Sequence, residues 1–142
     1  MSLYLDTSAL VKLYVDEPDT DGMVALSSAA SLLVVSMAAA AELRAALSKA
    51  VRIGRLATDE AREALDRFWG DWPDFYAVAM GESVARSAGE VAWRLGLRGY
   101  DAIHLATALA ARNLLHDPLV FACYDRALWE AARAEGLDVY PH

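Results

Sequence analysis

The chain of 142 residues has a single cysteine, Cys123, and only three histidines. One cysteine excludes an intrachain disulfide and a cysteine-rich zinc site. No apolar run reaches the roughly 18 residues of a membrane span. The stretch from Leu32 to Ala41 is too short, and it begins too far in to be a signal peptide. No basic segment stands at the start either, so the expected location is cytoplasmic, with no membrane partner. Positive charge is scarce: 13 Lys and Arg face 20 Asp and Glu, a net charge of -7. That balance argues against holding nucleic acid by bulk electrostatics. It leaves room for local basic patches and for phosphate contacts bridged by metal ions. Repeats, low-complexity tracts and linkers are all missing, so residues 1–142 are expected to form one domain.

Apolar residues are plentiful. At 56% hydrophobic and 23% charged, the chain can bury a substantial core. Four short apolar runs are expected strands: Ser2 to Leu5, Leu32 to Val35, Asp74 to Met80 and Pro118 to Tyr124. Val139 and Tyr140 are a candidate fifth, at an edge. Between them lie helical patterns: one after Asp6, then Thr20 to Ser28, Met37 to Ile53, Thr58 to about Trp69 or Trp72, Glu82 to Leu95, a helix opening at Asp101, and Ala127 to Glu135. Ser36 is the expected N-cap of the third pattern, and Gly54, Gly96 and Gly136 are the expected stops. Strands alternating with helices imply an α/β fold of three layers, α/β/α, around a mostly parallel sheet of four or five strands. In such sheets ligands gather beyond the carboxyl ends of the strands.

Four carboxylates fall at that edge. Asp6 ends the first strand, Glu42 lies in the first turns of the helix after the second, Asp101 opens a helix, and Asp125 ends the fourth strand. The helix after Asp101 is apolar nearly all round, as a buried helix is. Asp101 itself has two readings: an N-cap bonding its own first-turn amides, or a metal or substrate carboxylate fixed on a rigid element. Glu42 is not at a capping position, and Lys49 is the only basic neighbour on its alanine-rich face. Converging carboxylates raise one another's pKa, and a divalent cation relieves the conflict. Oxygen-only ligands select Mg²⁺ or Mn²⁺ over zinc. The chemistry that suits them is metal-assisted phosphodiester hydrolysis with one or two ions.

The chain resembles the PIN-domain nucleases and, within them, the VapC-type toxins of toxin–antitoxin pairs. The resemblance covers nearly the whole chain. It rests on Asp6-Thr7-Ser8-Ala9-Leu10-Val11-Lys12, on Glu42 in Ala-Glu-Leu-Arg-Ala-Ala-Leu, on Tyr100 to Ala108 around Asp101, and on Phe121 to Leu128 around Asp125. It implies a Mg²⁺- or Mn²⁺-dependent endoribonuclease, inhibited by an antitoxin protein and dimeric. Asp6 and Asp101 match the principal metal ligands, and Glu42 and Asp125 the remaining acids. Ser8 (or Thr7) matches a hydroxyl that helps hold the site. One departure is Cys123, where many members carry Thr or Ser two residues before the last acid.

Other residues are weighed differently. His104 is expected to be a polar residue packed in the core helix, and Cys123 a small buried residue. Trp69, Trp72, Tyr76, Trp93 and Trp129 fit core or interface packing better than base stacking. Arg44, Lys49, Arg52 and Arg55 follow Glu42, and Lys12 follows Asp6; they either track an RNA backbone or form a solvated face. Leu10 and Tyr14 are candidates for packing against an antitoxin helix. The rival to a nuclease is a PIN-like module that only binds RNA or protein. A phosphoryl-acceptor domain is disfavoured, because Ser8 stands where such enzymes place a second Asp.

Overall fold

The structure is a computed structural model describing all 142 residues. Strand β1 (Ser2–Leu5) leads through Asp6 into a five-residue helix α1 (Thr7–Val11). Helix α2 (Thr20–Ala29), strand β2 (Leu32–Ser36), and helices α3 (Ala39–Arg52) and α4 (Thr58–Asp71) follow. Pro73 stops α4, and Trp72–Asp74 tightens into one 3₁₀ turn before β3 (Tyr76–Val78). Then come α5 (Glu82–Leu95), α6 (Gly99–Leu114), β4 (Leu119–Ala122), α7 (Arg126–Ala134) and β5 (Asp138–Tyr140). No helix is long and apolar enough to cross a membrane.

The five strands form one sheet in the order β3-β2-β1-β4-β5, and every pairing is parallel. Alternation along β1 sends side chains to opposite layers. Leu3 and Leu5 pack with residues of α1 to α4, including Leu10, Met23, Leu43 and Phe68. Tyr4 packs on the other side with Leu105 of α6, Val91 of α5 and Leu128 of α7. The three-layer α/β/α architecture follows from that alternation. β1 is central, with β2 on one flank and β4 on the other. The strand order therefore reverses between β1 and β4, which opens a crevice beyond their carboxyl ends. Asp6 follows β1 and Asp125 follows β4.

Several local expectations shift. Ser36 is the last residue of β2, not a helix cap; its Oγ accepts from the Ala38 N–H at 3.2 Å, and α3 starts two residues later than expected. The third strand shrinks to three residues because the 3₁₀ turn takes its first part. The fourth ends at Ala122, which leaves Cys123 and Tyr124 in the loop before Asp125. Gly54 and Gly96 do end their helices, with φ of 78° and 67°, a region that costs glycine little. Leu10 and Tyr14 are part of the core: the Tyr14 ring meets Phe68 edge-on and its hydroxyl donates to Asp71 at 2.8 Å. They form no free face for a docking helix. Trp69 and Trp72 pack around Phe68 in the same aromatic cluster, and Trp129 donates to the Pro141 carbonyl. Trp93, by contrast, is 92% exposed and is not core.

Candidate active site

Asp6 is the N-cap of α1. Its Oδ1 accepts from the Ala9 N–H at 2.9 Å and from Ser8 Oγ at 2.6 Å. Ser8 Oγ in turn accepts from the Tyr124 N–H at 2.8 Å, so one hydroxyl ties the end of β1 to the loop after β4. Asp6 is only 4% exposed. Burial pushes its carboxyl above the ordinary value, while Ser8, Cys123 and the Ala9 amide pull it back. The Cys123 thiol is fully buried, and burial together with the Asp6 charge raises it far from ionisation. Its Sγ reaches the Asp125 carbonyl at 3.4 Å. A thiol therefore occupies the linking position between the two acids, as a weak donor and not as a nucleophile.

Asp125 is the N-cap of α7, its Oδ1 accepting from the Leu128 N–H at 2.9 Å. Asp101 does not cap its helix. Arg98 holds the N-cap position, and Asp101 is the third residue of α6, inside the first turn. The difference arises because Gly99 and Tyr100 enter the helix, and acidic side chains are favoured in the first turn as well as at the cap. Burial raises the Asp101 pKa, and the charges of Asp125 and Glu42 raise it further. Arg98 opposes this from 3.8 Å, but its side chain is 88% exposed, so water screens the pair.

Glu42 lies in the first turn of α3. Its Oε1 meets His104 Nε2 at 2.6 Å and accepts from Thr7 Oγ1 at 2.9 Å. Burial opposes its ionisation, yet the hydrogen bond and charge of His104, with Thr7, hold the carboxyl below its usual value. Lys49 is not its partner. His104 is, across 62 residues of chain. The sequence carried one signal for this pairing: Glu42 and His104 are polar residues set in stretches that are mostly alanine or apolar.

The four acids thus share one edge of the sheet, around the crevice between β1 and β4. They do not converge into a preformed cage: no three His, Cys, Asp or Glu side chains are arranged to hold a metal ion as they stand. Each is already committed or repelled. Asp6 and Asp125 use an oxygen in capping, Glu42 uses Oε1 on His104, and Asp101 is held off by like charge.

The basic residues are elsewhere. Lys12 turns inward, 6% exposed, with Nζ 3.3 Å from Glu17 and 2.9 Å from the Pro18 carbonyl, over the Tyr124 ring. It is an internal ion-pair residue and does not track RNA. Arg44 and Arg52 join Arg62 around a cleft of about 300 Å³ between α3 and α4. Lys49 and Arg55 line a different cleft with Val11 and Val15. Neither cleft includes any of the four acids.

Residues 3–133 match the model of the PIN domain. The chain belongs to the PIN domain family. This PIN domain is 40% identical to Ribonuclease VapC49 of Mycobacterium tuberculosis (strain ATCC 25618 / H37Rv), over 98% of its own length and 94% of the relative's. It is 35% identical to Ribonuclease VapC35 of the same strain, over 96% and 94%. Among solved structures, it superposes on FitAcB from Neisseria gonorrhoeae with a TM-score of 0.70 at 21% identity, covering 96% of this chain and 95% of that one. VapBC2 from Rickettsia felis, bound to a promoter DNA fragment, gives 0.66 at 17% identity, covering 98% and 97%. The family is set by sequence, and these two structures agree in fold.

Proposed function

We propose that this PIN domain is a single-domain endoribonuclease dependent on Mg²⁺ or Mn²⁺, the toxin of a toxin–antitoxin pair. In this reading it acts in the cytoplasm as a homodimer, and a cognate antitoxin protein holds it in check. The ribonuclease names of its relatives, at up to 40% identity over almost the whole chain, support the substrate class. The VapBC and FitAB complexes that share the fold support the antitoxin partner by likeness. The observation that carries the chemistry is Asp101, whose charge is opposed by burial and by both Asp125 and Glu42, and offset only by a solvent-exposed arginine and by His104.

The donor set fits a hard dication, since all four groups are carboxylates and no buried lysine or arginine neutralises them. Asp101, Asp125, Glu42 and Asp6 would hold it. Bound there, Mg²⁺ or Mn²⁺ supplies Lewis-acid activation of water and neutralises charge on the scissile phosphate. The chain's own residues prepare that arrangement. Ser8 and the Ala9 amide fix the Asp6 carboxylate, and Thr7 and His104 fix one oxygen of Glu42. Asp101 projects from the first turn of α6, whose following residues from Ala102 to Ala111 are largely buried.

The test is cleavage of a panel of structured RNAs by the purified chain with Mn²⁺. The expected result is endonucleolytic cutting that stops on adding EDTA and is absent in Asp101→Asn. Cutting that survives EDTA, or a fully active Asp101→Asn, overturns the assignment. No cutting of any RNA, with intact Mn²⁺ binding, favours the binding-module reading.

A further inference from the structure

His104 is set in the middle of α6, 2% exposed, and both of its ring nitrogens are engaged. Nδ1 stands 2.8 Å from the Tyr4 hydroxyl, and Nε2 stands 2.6 Å from Glu42 Oε1. His104 links side chains from three elements: Tyr4 on β1, Glu42 on α3 and itself on α6. Thr7 of α1 closes the group by donating to the same Glu42 oxygen at 2.9 Å.

The direction of the bond to Glu42 follows from its carboxylate, which can only accept, so His104 Nε2–H donates to Oε1. On the other side of the ring, Nδ1 meets the fully buried Tyr4 hydroxyl at 2.8 Å. Tyr4 is itself immobile: its ring stacks on Phe121 of β4 at 5.2 Å with an interplanar angle of 6°. A rigid chain of contacts runs from the centre of the sheet to one oxygen of Glu42. Both donors converge on Oε1, and Oε2 takes no hydrogen bond from the chain.

We infer that His104 is a positioning residue for Glu42: oriented by the Tyr4 hydroxyl, its Nε2–H fixes one carboxylate oxygen so that the other is presented, without rotation, to a cation. The inference rests on the proposed metal site. Side chains that orient an ion's ligands in this way commonly change metal affinity by about 10- to 100-fold when removed.

Two measurements test it without RNA. The first is the imidazole nitrogen spectrum of the metal-free protein, in which only three histidines need assignment. The expected state has a proton on His104 Nε2, and a bare Nε2 overturns the inference. The second is the Mn²⁺ concentration that half-saturates the rise in melting temperature. His104→Leu should raise that midpoint about tenfold or more, and His104→Gln, which keeps an N–H donor, should recover most of the loss. If His104→Leu fails to fold, Tyr4→Phe removes only the orienting hydroxyl and should raise the midpoint in the same direction by less. A variant that melts earlier but keeps the wild-type midpoint marks the histidine as structural only. Glu42→Gln separates the two levels. If it raises the midpoint and the His104 and Tyr4 variants do not, positioning fails alone. If Glu42→Gln changes nothing, the proposed role of Glu42 fails.

Discussion

Asp6 and Asp101 are both aspartates whose ionisation burial opposes, yet their surroundings are of opposite kinds. Asp6 is enclosed. Two donors reach its Oδ1, Cys123 lies against it, and Ser8 ties it to the loop after β4. Asp101 is open. It caps nothing, its one ion-pair partner is a solvated arginine, and Asp125, Glu42 and His104 act on it by charge alone. One carboxylate belongs to the frame and has the cost of its burial partly offset by hydrogen bonds. The other is aimed by a rigid helix and left uncompensated. A binding edge needs both kinds: a fixed reference and a group with something to gain from a ligand.

The sharpest way to break this comparison is Asp101→Asn. Cleavage should fall by about 100-fold or more, while the metal-free protein melts at a higher temperature because the repulsion with Asp125 and Glu42 is gone. A variant that is both inactive and less stable would show that Asp101 is held by interactions as Asp6 is. The second comparison sets Asp6→Ala against Asp6→Asn. Alanine removes the cap and leaves Ser8 without its acceptor, at a cost of about 1 kcal/mol or more by denaturant titration. Asparagine keeps the cap and removes a buried charge, so it should melt at or above wild type. Equal losses in the two variants would contradict the frame role.

Acid offers a finer test. The folded-state pKa of Asp101 is raised above 3.8, so the folded protein binds this proton more readily than the unfolded chain does. The charged form therefore costs stability at neutral pH, and that cost is removed as pH falls through the raised value. The stability advantage of Asp101→Asn over wild type should be largest near neutrality and shrink on acidification. Saturating Mn²⁺ should abolish or reverse it at neutral pH. An advantage that grows toward acid pH has the wrong sign for this account. The smallest expected effect is at Lys12. Lys12→Met keeps the packing over Tyr124 but loses the ion pair with Glu17, for about 1 kcal/mol. The RNA concentration for half-maximal cleavage should not change, since Lys12 faces the interior.

Most of the fold was legible because short apolar runs and helical stripes are local patterns. Leu32 to Val35 reads as a buried strand in any context, and Gly54 and Gly96 stop helices for a reason of their own backbone. What was not legible depended on distant residues. Aspartate is favoured at a cap and in the first turn of a helix alike, so a helix opening at Asp101 is expected two residues later than α6 begins. Nothing near Lys12 shows that Glu17 and the Pro18 carbonyl fold back onto it. The four acids were found by their position after strands. The His104–Glu42 pair was missed because each partner looked locally isolated, and only the stacking of α6 against β1 and β2 brings them together.

The strand order β3-β2-β1-β4-β5 also sets a timetable. β1 leaves the ribosome first, but its flank is completed only by β4, at residues 119–122. Asp6 and Glu42 exist early on a half-built sheet, and Asp125 arrives with the last strands. Parallel pairing across so much chain closes late. The acidic edge is therefore among the last parts of the molecule to be assembled, and a chain interrupted before β4 carries three of its four carboxylates, Asp6, Glu42 and Asp101, without the crevice they line.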